Sequence, residues 1–226
     1  MNLPLNQLLA LTVITDPAAW TGPAVAAIAA LRGGARTIQV RWKGGSTREI
    51  LSLVQELREP TRAIGALLIV NDRLDIALAA GADGVHLGDE DLPIAIARQI
   101  APAGFIIGGS VDTPEEAAAA ERAGASYVGF GPIHPTGTKS NTGSVTGEQM
   151  LTEVKRAISI PLVAIGGMNR ENAASAVRTG ADGVAVVGAV AFQVDPEAAA
   201  AGILAEVIRD REGISVTLSG HPRQSP

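Results

Sequence analysis

Four short segments of this chain repeat one another at intervals that few folds accommodate. Gly34-Ala-Arg-Thr-Ile, Gly81-Ala-Asp-Gly-Val, Gly124-Ala-Ser-Tyr-Val and Gly180-Ala-Asp-Gly-Val each stand between a helix-like and a strand-like stretch. A glycine just past a helix adopts the left-handed cap conformation without steric cost. The copies lie 47, 43 and 56 residues apart. Strand-length runs rich in β-branched residues occupy 10–15, 37–40, 66–70, 84–87, 105–108, 127–130, 161–165 and 184–187. Helical patterns rich in Ala, Leu, Glu and Arg fall between and after them, at 23–31, 47–57, 72–80, 92–100, 114–123, 148–157, 170–179 and 196–210. Such alternation implies parallel strands joined by right-handed crossovers. Each repeat opens an even-numbered strand, so the chain reads as four double units. Four double units close into a (βα)8 barrel, whereas a doubly wound open sheet does not predict that regularity. The expectation is one barrel domain over residues 1–218, followed by a disordered tail at 219–226.

Composition narrows the class. Hydrophobic residues make up 46% of the chain and aromatics only 3%, so the core is aliphatic, as buried parallel strands under Ala-rich helices require. A net charge of −5 argues against nucleic-acid and anionic-membrane surfaces, though not against a local basic pocket. The absence of cysteine excludes disulfides, thiolate catalysis and Cys-type metal sites. No basic stretch followed by a long apolar run marks a signal peptide, and no apolar run reaches membrane-spanning length. A cytoplasmic protein is expected, with small-molecule partners and a homo-oligomer left open.

In barrels of this kind the site lies at the C-terminal ends of the strands. Alternation turns Gln39, Arg41 and Lys43 the same way at the second strand end, and two cations with an amide on one inward face are hard to explain as packing. Asn71 and Asp72 end the third strand, where they either cap the next helix or face a ligand. Asp91 closes an acidic stretch after the fourth, and Asp72 and Asp91 would lie on neighbouring ends. Magnesium uses one or two carboxylates with waters and phosphate oxygens, so a divalent ion bridging a diphosphate is a coherent reading of that pair. His86 reads as a barrel-mouth substrate contact or as a satisfied core residue. Ser110 has no His/Asp partner pattern and reads as a ligand hydrogen bond rather than a nucleophile. The sixth strand runs into Thr136, Thr138 and Lys139, two hydroxyls and a point charge suited to a polyanion. Gly167 after the seventh strand, with Val187 and Gly188 after the eighth, fits the usual barrel phosphate site. The residues alone therefore give two anion sites, one for a monophosphate and one cationic site facing a magnesium ion.

Taken together, Gln39-x-Arg41-x-Lys43, Asn71-Asp72-Arg73, Gly84-Val-His86-Leu-Gly88, Ser110, Gly129-x-Gly131-Pro132, Thr136-x-Thr138-Lys139 and Gly166-Gly167 resemble the thiamine-phosphate synthase family, in order, over about residues 10–190. The resemblance implies a transferase that joins hydroxymethylpyrimidine diphosphate to thiazole phosphate, with magnesium, and releases pyrophosphate. It implies that Gln39, Arg41, Lys43, Asn71, Ser110 and Lys139 bind the pyrimidine diphosphate, with Arg41, Lys43, Ser110 and Lys139 the catalytic set. By the same resemblance Asp72 and Asp91 hold magnesium, and Thr136, Thr138, Gly167, Val187 and Gly188 hold the thiazole phosphate. The chain departs from the family pattern at Gly188, where Ser is usual, at Asp112, where His is usual, at Asp89, where Gln is usual, and at Trp42, where Glu is usual. Two alternatives share the barrel: a thiazole tautomerase, and a non-catalytic barrel that binds thiazole phosphate. The tautomerase characteristically lacks the Thr-x-Thr-Lys loop and uses the His that Asp112 replaces, so both features favour the synthase.

Overall fold

The computed structural model describes residues 3–135 and 147–219, with side chains as far as Arg211. Eight parallel strands, β1 (Leu11–Ile14), β2 (Thr37–Val40), β3 (Leu67–Asn71), β4 (Gly84–Leu87), β5 (Ile106–Val111), β6 (Tyr127–Phe130), β7 (Leu162–Ile165) and β8 (Gly183–Val186), pair in sequence order. β8 returns to pair with β1, so the sheet closes into a barrel. The helices are α1 (Leu5–Leu8), α2 (Pro23–Arg32), α3 (Thr47–Ala63), α4 (Leu74–Ala79), α5 (Ile94–Ile100), α6 (Pro114–Arg122), α7 (Gly147–Ala157), α8 (Ala173–Arg178), α9 (Gly188–Ala191) and α10 (Pro196–Ser219). This is the expected (βα)8 barrel. The expected tail lies outside the described residues from 220 onward, and α10 runs on through Ser219, beyond the predicted end at 210.

The repeats acquire a physical reason. Gly34, Gly81, Gly124 and Gly180 all have positive φ, as the left-handed cap requires. The alanine that follows each is buried. In three copies the third residue closes the backbone of the preceding strand: Asp83 accepts from the Leu68 N–H at 2.8 Å, Ser126 from Ile107 at 3.1 Å and Asp182 from Leu162 at 2.8 Å. Each is reached in turn by a cationic side chain from the helix that precedes that strand: Arg58 of α3, Arg98 of α5 and Lys155 of α7. A buried N–H left without a partner is costly, so these positions hold the strand starts in register.

Two cores result. The larger packs outward-facing strand residues such as Ile38, Leu68, Val85, Ile107 and Val128 against the helices. The smaller fills the barrel itself, with Leu9, Ile14, Tyr127, Val163 and Ala185. Leu9, just after α1, plugs the N-terminal end and leaves the C-terminal mouth open.

Candidate active site

A cleft of about 900 Å³ opens at the C-terminal ends of the strands. Every predicted site residue that the structure describes lines it: Gln39, Arg41 and Lys43 from β2 and its exit; Asn71 and Asp72 from β3; His86 from β4 and Asp91 from the loop after it. Ser110 from β5, Gly167 beyond β7, and Val187 and Gly188 beyond β8 complete the lining. Thr136, Thr138 and Lys139 lie outside the described residues. That volume sits near the upper end for small-molecule pockets, enough for two substrates side by side.

Asp72 is the only non-glycine residue among those described with positive φ, at 65°. Its N–H still bonds to the His86 carbonyl at 2.8 Å, so the chain leaves the sheet by turning sharply at this residue. Aspartate tolerates this conformation better than most residues, and backbone strain of this kind gathers at functional sites. Neither Asn71 nor Asp72 caps α4: its N-cap is Arg73, with no side-chain cap bond. The ligand-facing reading of this pair is therefore the one the backbone allows. Lys43 reaches across to Asp72, Nζ to Oδ2 at 2.6 Å. Asp91 accepts from the Gly88 N–H at 2.7 Å. Burial raises the Asp91 carboxyl above its ordinary range, and the neighbouring Asp72 carboxylate adds to that; the Gly88 N–H and Lys43 oppose it.

Charge at the mouth tests the metal reading. Among the described residues, Asp72, Asp89, Glu90, Asp91 and Asp112 line the cleft against two cations, Arg41 and Lys43. Carboxylates in that excess repel a diphosphate, and a divalent cation seated between them and the phosphate oxygens would reverse the sign of the contact. No group of three or more His, Cys, Asp or Glu side chains placed to hold a metal occurs among the described residues. Two adjacent carboxylates with room for water and phosphate oxygens suit magnesium, and the donor set fits it.

The opposite wall is backbone. Gly166 and Gly167 have φ of 90° and 64°. A Cβ at Gly167 would sit 2.7 Å from the His134 Cβ and 2.8 Å from the Pro135 carbonyl oxygen. The exit of β6 packs that tightly over the turn, with Ile133 and His134 donating to the Ile165 and Gly166 carbonyls at 2.9 and 3.1 Å. Asn172 fixes the turn from below, donating to the Gly167 carbonyl at 2.9 Å while its Oδ1 accepts from Asn169. α9 begins at Gly188 directly after β8. Gly166, Gly167 and Gly188 line the cleft with no side chain of their own, so main chain is what this wall presents at those points.

Sequence reasoning missed two contributors. Tyr127 is buried inside the barrel and hydrogen bonds to His86 Nδ1 at 3.0 Å, while His86 Nε2 lies 3.1 Å from Ser110 Oγ. This favours neither simple reading of His86, which is tied into the interior on one side and to a cleft residue on the other. Asn172 was the other omission. Its Asn-x-x-Asn spacing with Asn169 was the available signal, because such a pair can close a turn on its own backbone.

The fold and this mouth define a (βα)8 barrel with a ligand cleft at the C-terminal ends of its strands. Comparison with known proteins narrows it. The thiamine monophosphate synthase family model matches residues 11–190. A thiamine-phosphate synthase of Methanocella arvoryzae is 49% identical over 182 residues, covering 80% of this chain and 86% of that protein. One from Chlorobium luteolum is 47% identical over 213 residues, covering 94% and 99%. Among solved structures, a thiamine phosphate pyrophosphorylase of Pyrococcus furiosus superposes with a TM-score of 0.85 at 42% identity, covering 92% of this chain and 99% of that one. The chain belongs to the thiamine monophosphate synthase family. Among the described residues no helix is long and apolar enough to cross a membrane.

Proposed function

We propose that this barrel is a thiamine-phosphate synthase that joins 4-amino-2-methyl-5-(diphosphooxymethyl)pyrimidine to 4-methyl-5-(2-phosphoethyl)thiazole, or to its carboxylated tautomer, in the cytoplasm. The observation that carries this reading is one mouth with two opposed walls of different chemistry. A cationic strand end and a carboxylate pair stand on one side, and a glycine turn stands on the other.

In the reaction the C–O bond between the pyrimidine methylene and the diphosphate breaks, and the electron pair leaves with pyrophosphate. The electron-rich aminopyrimidine carries the methylene cation, and the thiazole nitrogen lone pair then forms the new C–N bond; from the carboxylated tautomer CO2 also leaves and a proton is taken up as the ring aromatises. No protein nucleophile is needed. The protein must stabilise the leaving charge and orient the acceptor. Arg41, Lys43 and Lys139 offset the diphosphate charge, and Gln39, Asn71, His86 and Ser110 orient the pyrimidine. Gly167, Val187, Gly188, Thr136 and Thr138 hold the thiazole phosphate. Asp72 and Asp91 are the residues that would hold a magnesium ion, which when bound neutralises charge on the diphosphate oxygens. Loading requires Lys43 to exchange Asp72 for phosphate oxygen. Lys43 is largely solvent-exposed, so that exchange costs little.

The test is pyrophosphate release with both substrates, with each substrate omitted and with the metal chelated. Release that requires all three components is expected. Aromatisation of the thiazole without pyrophosphate would establish the tautomerase, and tight thiazole phosphate binding with neither reaction would establish a silent binder.

A further inference from the structure

The barrel interior contains a hydrogen-bonded chain that runs from the buried Tyr127 through His86 to Ser110 at the cleft. Tyr127 is 2% exposed. Its ring lies beside His86, with centroids 5.5 Å apart at 34°. Two glycines make room for the pair. A Cβ at Gly108 would overlap the Tyr127 ring and hydroxyl, and a Cβ at Gly129 would sit 3.1 Å from His86 Cε1. The space is therefore built for these two rings. The Tyr127 hydroxyl lies 3.0 Å from His86 Nδ1 and also receives the Gln39 side chain. His86 Nε2 lies 3.1 Å from Ser110 Oγ, on the lining of the cleft.

The direction of each bond follows from what each group can donate. Burial raises the phenol far above its ordinary range, so it keeps its proton. The Gln39 amide is placed to donate an N–H to that oxygen. The phenol proton then needs an acceptor, and His86 Nδ1 is within reach. An imidazole that accepts at Nδ1 carries its proton on Nε2 when neutral, and Nε2–H faces Ser110. With its oxygen accepting from His86, Ser110 has its own proton left for the cleft.

We infer that Tyr127 is a positioning residue: by donating to His86 Nδ1 it fixes the Nε2–H form of the imidazole and so commits Ser110 to donate to an acceptor atom of the substrate. The inference rests on the reading above only in taking Ser110 to touch the substrate. It adds a specificity element, because a hydroxyl locked as donor favours a ring nitrogen or phosphate oxygen over an amino group at that point.

The first test needs no substrate. In the ligand-free protein labelled with 15N-histidine, the His86 signals, assigned by their loss in His86→Gln, should show a pyridine-type Nδ1 and a protonated pyrrole-type Nε2 at neutral pH. The reverse tautomer or an imidazolium would overturn the inference, whether or not the protein makes pyrophosphate. The second test is kinetic. Tyr127→Phe should lower kcat/KM by about five- to tenfold in the parent. In a Ser110→Ala background it should change kcat/KM by less than about twofold, because the group it positions is gone. Equal losses in both backgrounds would reduce Tyr127 to a packing residue and refute the positioning role. If Tyr127→Phe does not fold, the tautomer measurement decides alone. A parent that releases no pyrophosphate would sink the proposed reaction while leaving the tautomer result standing.

Discussion

Gly108→Ala isolates the space reserved for the Tyr127 ring. The new methyl would overlap the Cζ atom of Tyr127, with Cε1 and the hydroxyl oxygen each 2.5 Å away. All three belong to one rigid ring that is buried and held at its hydroxyl by His86 and Gln39. Moving the ring away from the methyl would draw its hydroxyl away from those partners. Overpacking of a rigid core site costs about 3 kcal/mol, and the reduced freedom of the unfolded chain offsets up to about 1 kcal/mol of that. A net loss of about 2 kcal/mol lowers the melting temperature by about 4–8 °C in a chain of this size. The neighbouring residue supplies the control. A Cβ at Gly109 meets Ile94 Cδ1 at 2.7 Å, the far end of a half-buried flexible side chain, and nothing else closer than 3.8 Å. Gly109→Ala should therefore stay within about 1 kcal/mol of the parent. Thermal unfolding of both variants, followed by circular dichroism, reads the difference directly. Equal melting temperatures, or a Gly108→Ala protein as stable as the parent, would refute the claim that β5 is glycine here to admit the ring.

Three further outcomes follow from the cleft. Asp72→Asn removes the partner of Lys43 and half of the carboxylate pair, so the magnesium needed for half-maximal pyrophosphate release should rise about tenfold or more; an unchanged metal titration would move the ion elsewhere. Gly188→Ser restores the hydroxyl usual in this family, and the Phe192 edge 3.2 Å from the new Cβ needs to give only slightly. The KM for thiazole phosphate should fall several-fold at unchanged kcat, and no change would show that backbone alone holds that phosphate. Lys139→Ala should lower kcat more than it raises KM, because it removes charge that matters most as the diphosphate leaves; equal single-turnover rates at saturating substrate would place that lysine outside the reaction.

Much of this architecture was legible because local chemistry and global topology agree. The glycine–alanine repeats mark the even strands, and the third position of three copies carries the side chain that closes the preceding strand. The strand-end residues were legible because alternation turns every second residue inward, which brought Gln39, Asn71, His86 and Ser110 to one mouth. Ser110 stands inside β5 rather than beyond it, since that strand continues to Val111. The short α1 and α9, four residues each, left no periodic signal because one helical turn shows no repeat. The Tyr127–His86 contact was not legible either. The two residues are 41 positions apart, and their meeting depends on the absence of a Cβ at Gly108 and Gly129, which sequence alone presents as two more glycines in a glycine-rich chain. The left-handed backbone at Asp72 was equally hidden, because Asn-Asp before a helix ordinarily reads as a cap.

The central claim is that the two anion sites stand on opposite walls of one mouth. A crystal structure with a non-reactive pyrimidine diphosphate analogue, magnesium and thiazole phosphate tests it most directly. The account predicts the diphosphate between Arg41, Lys43 and the Asp72–Asp91 pair, with the thiazole phosphate on the main chain of Gly167 and Gly188. A diphosphate seated on the glycine turn, with Asp72 and Asp91 left free of metal, would contradict it.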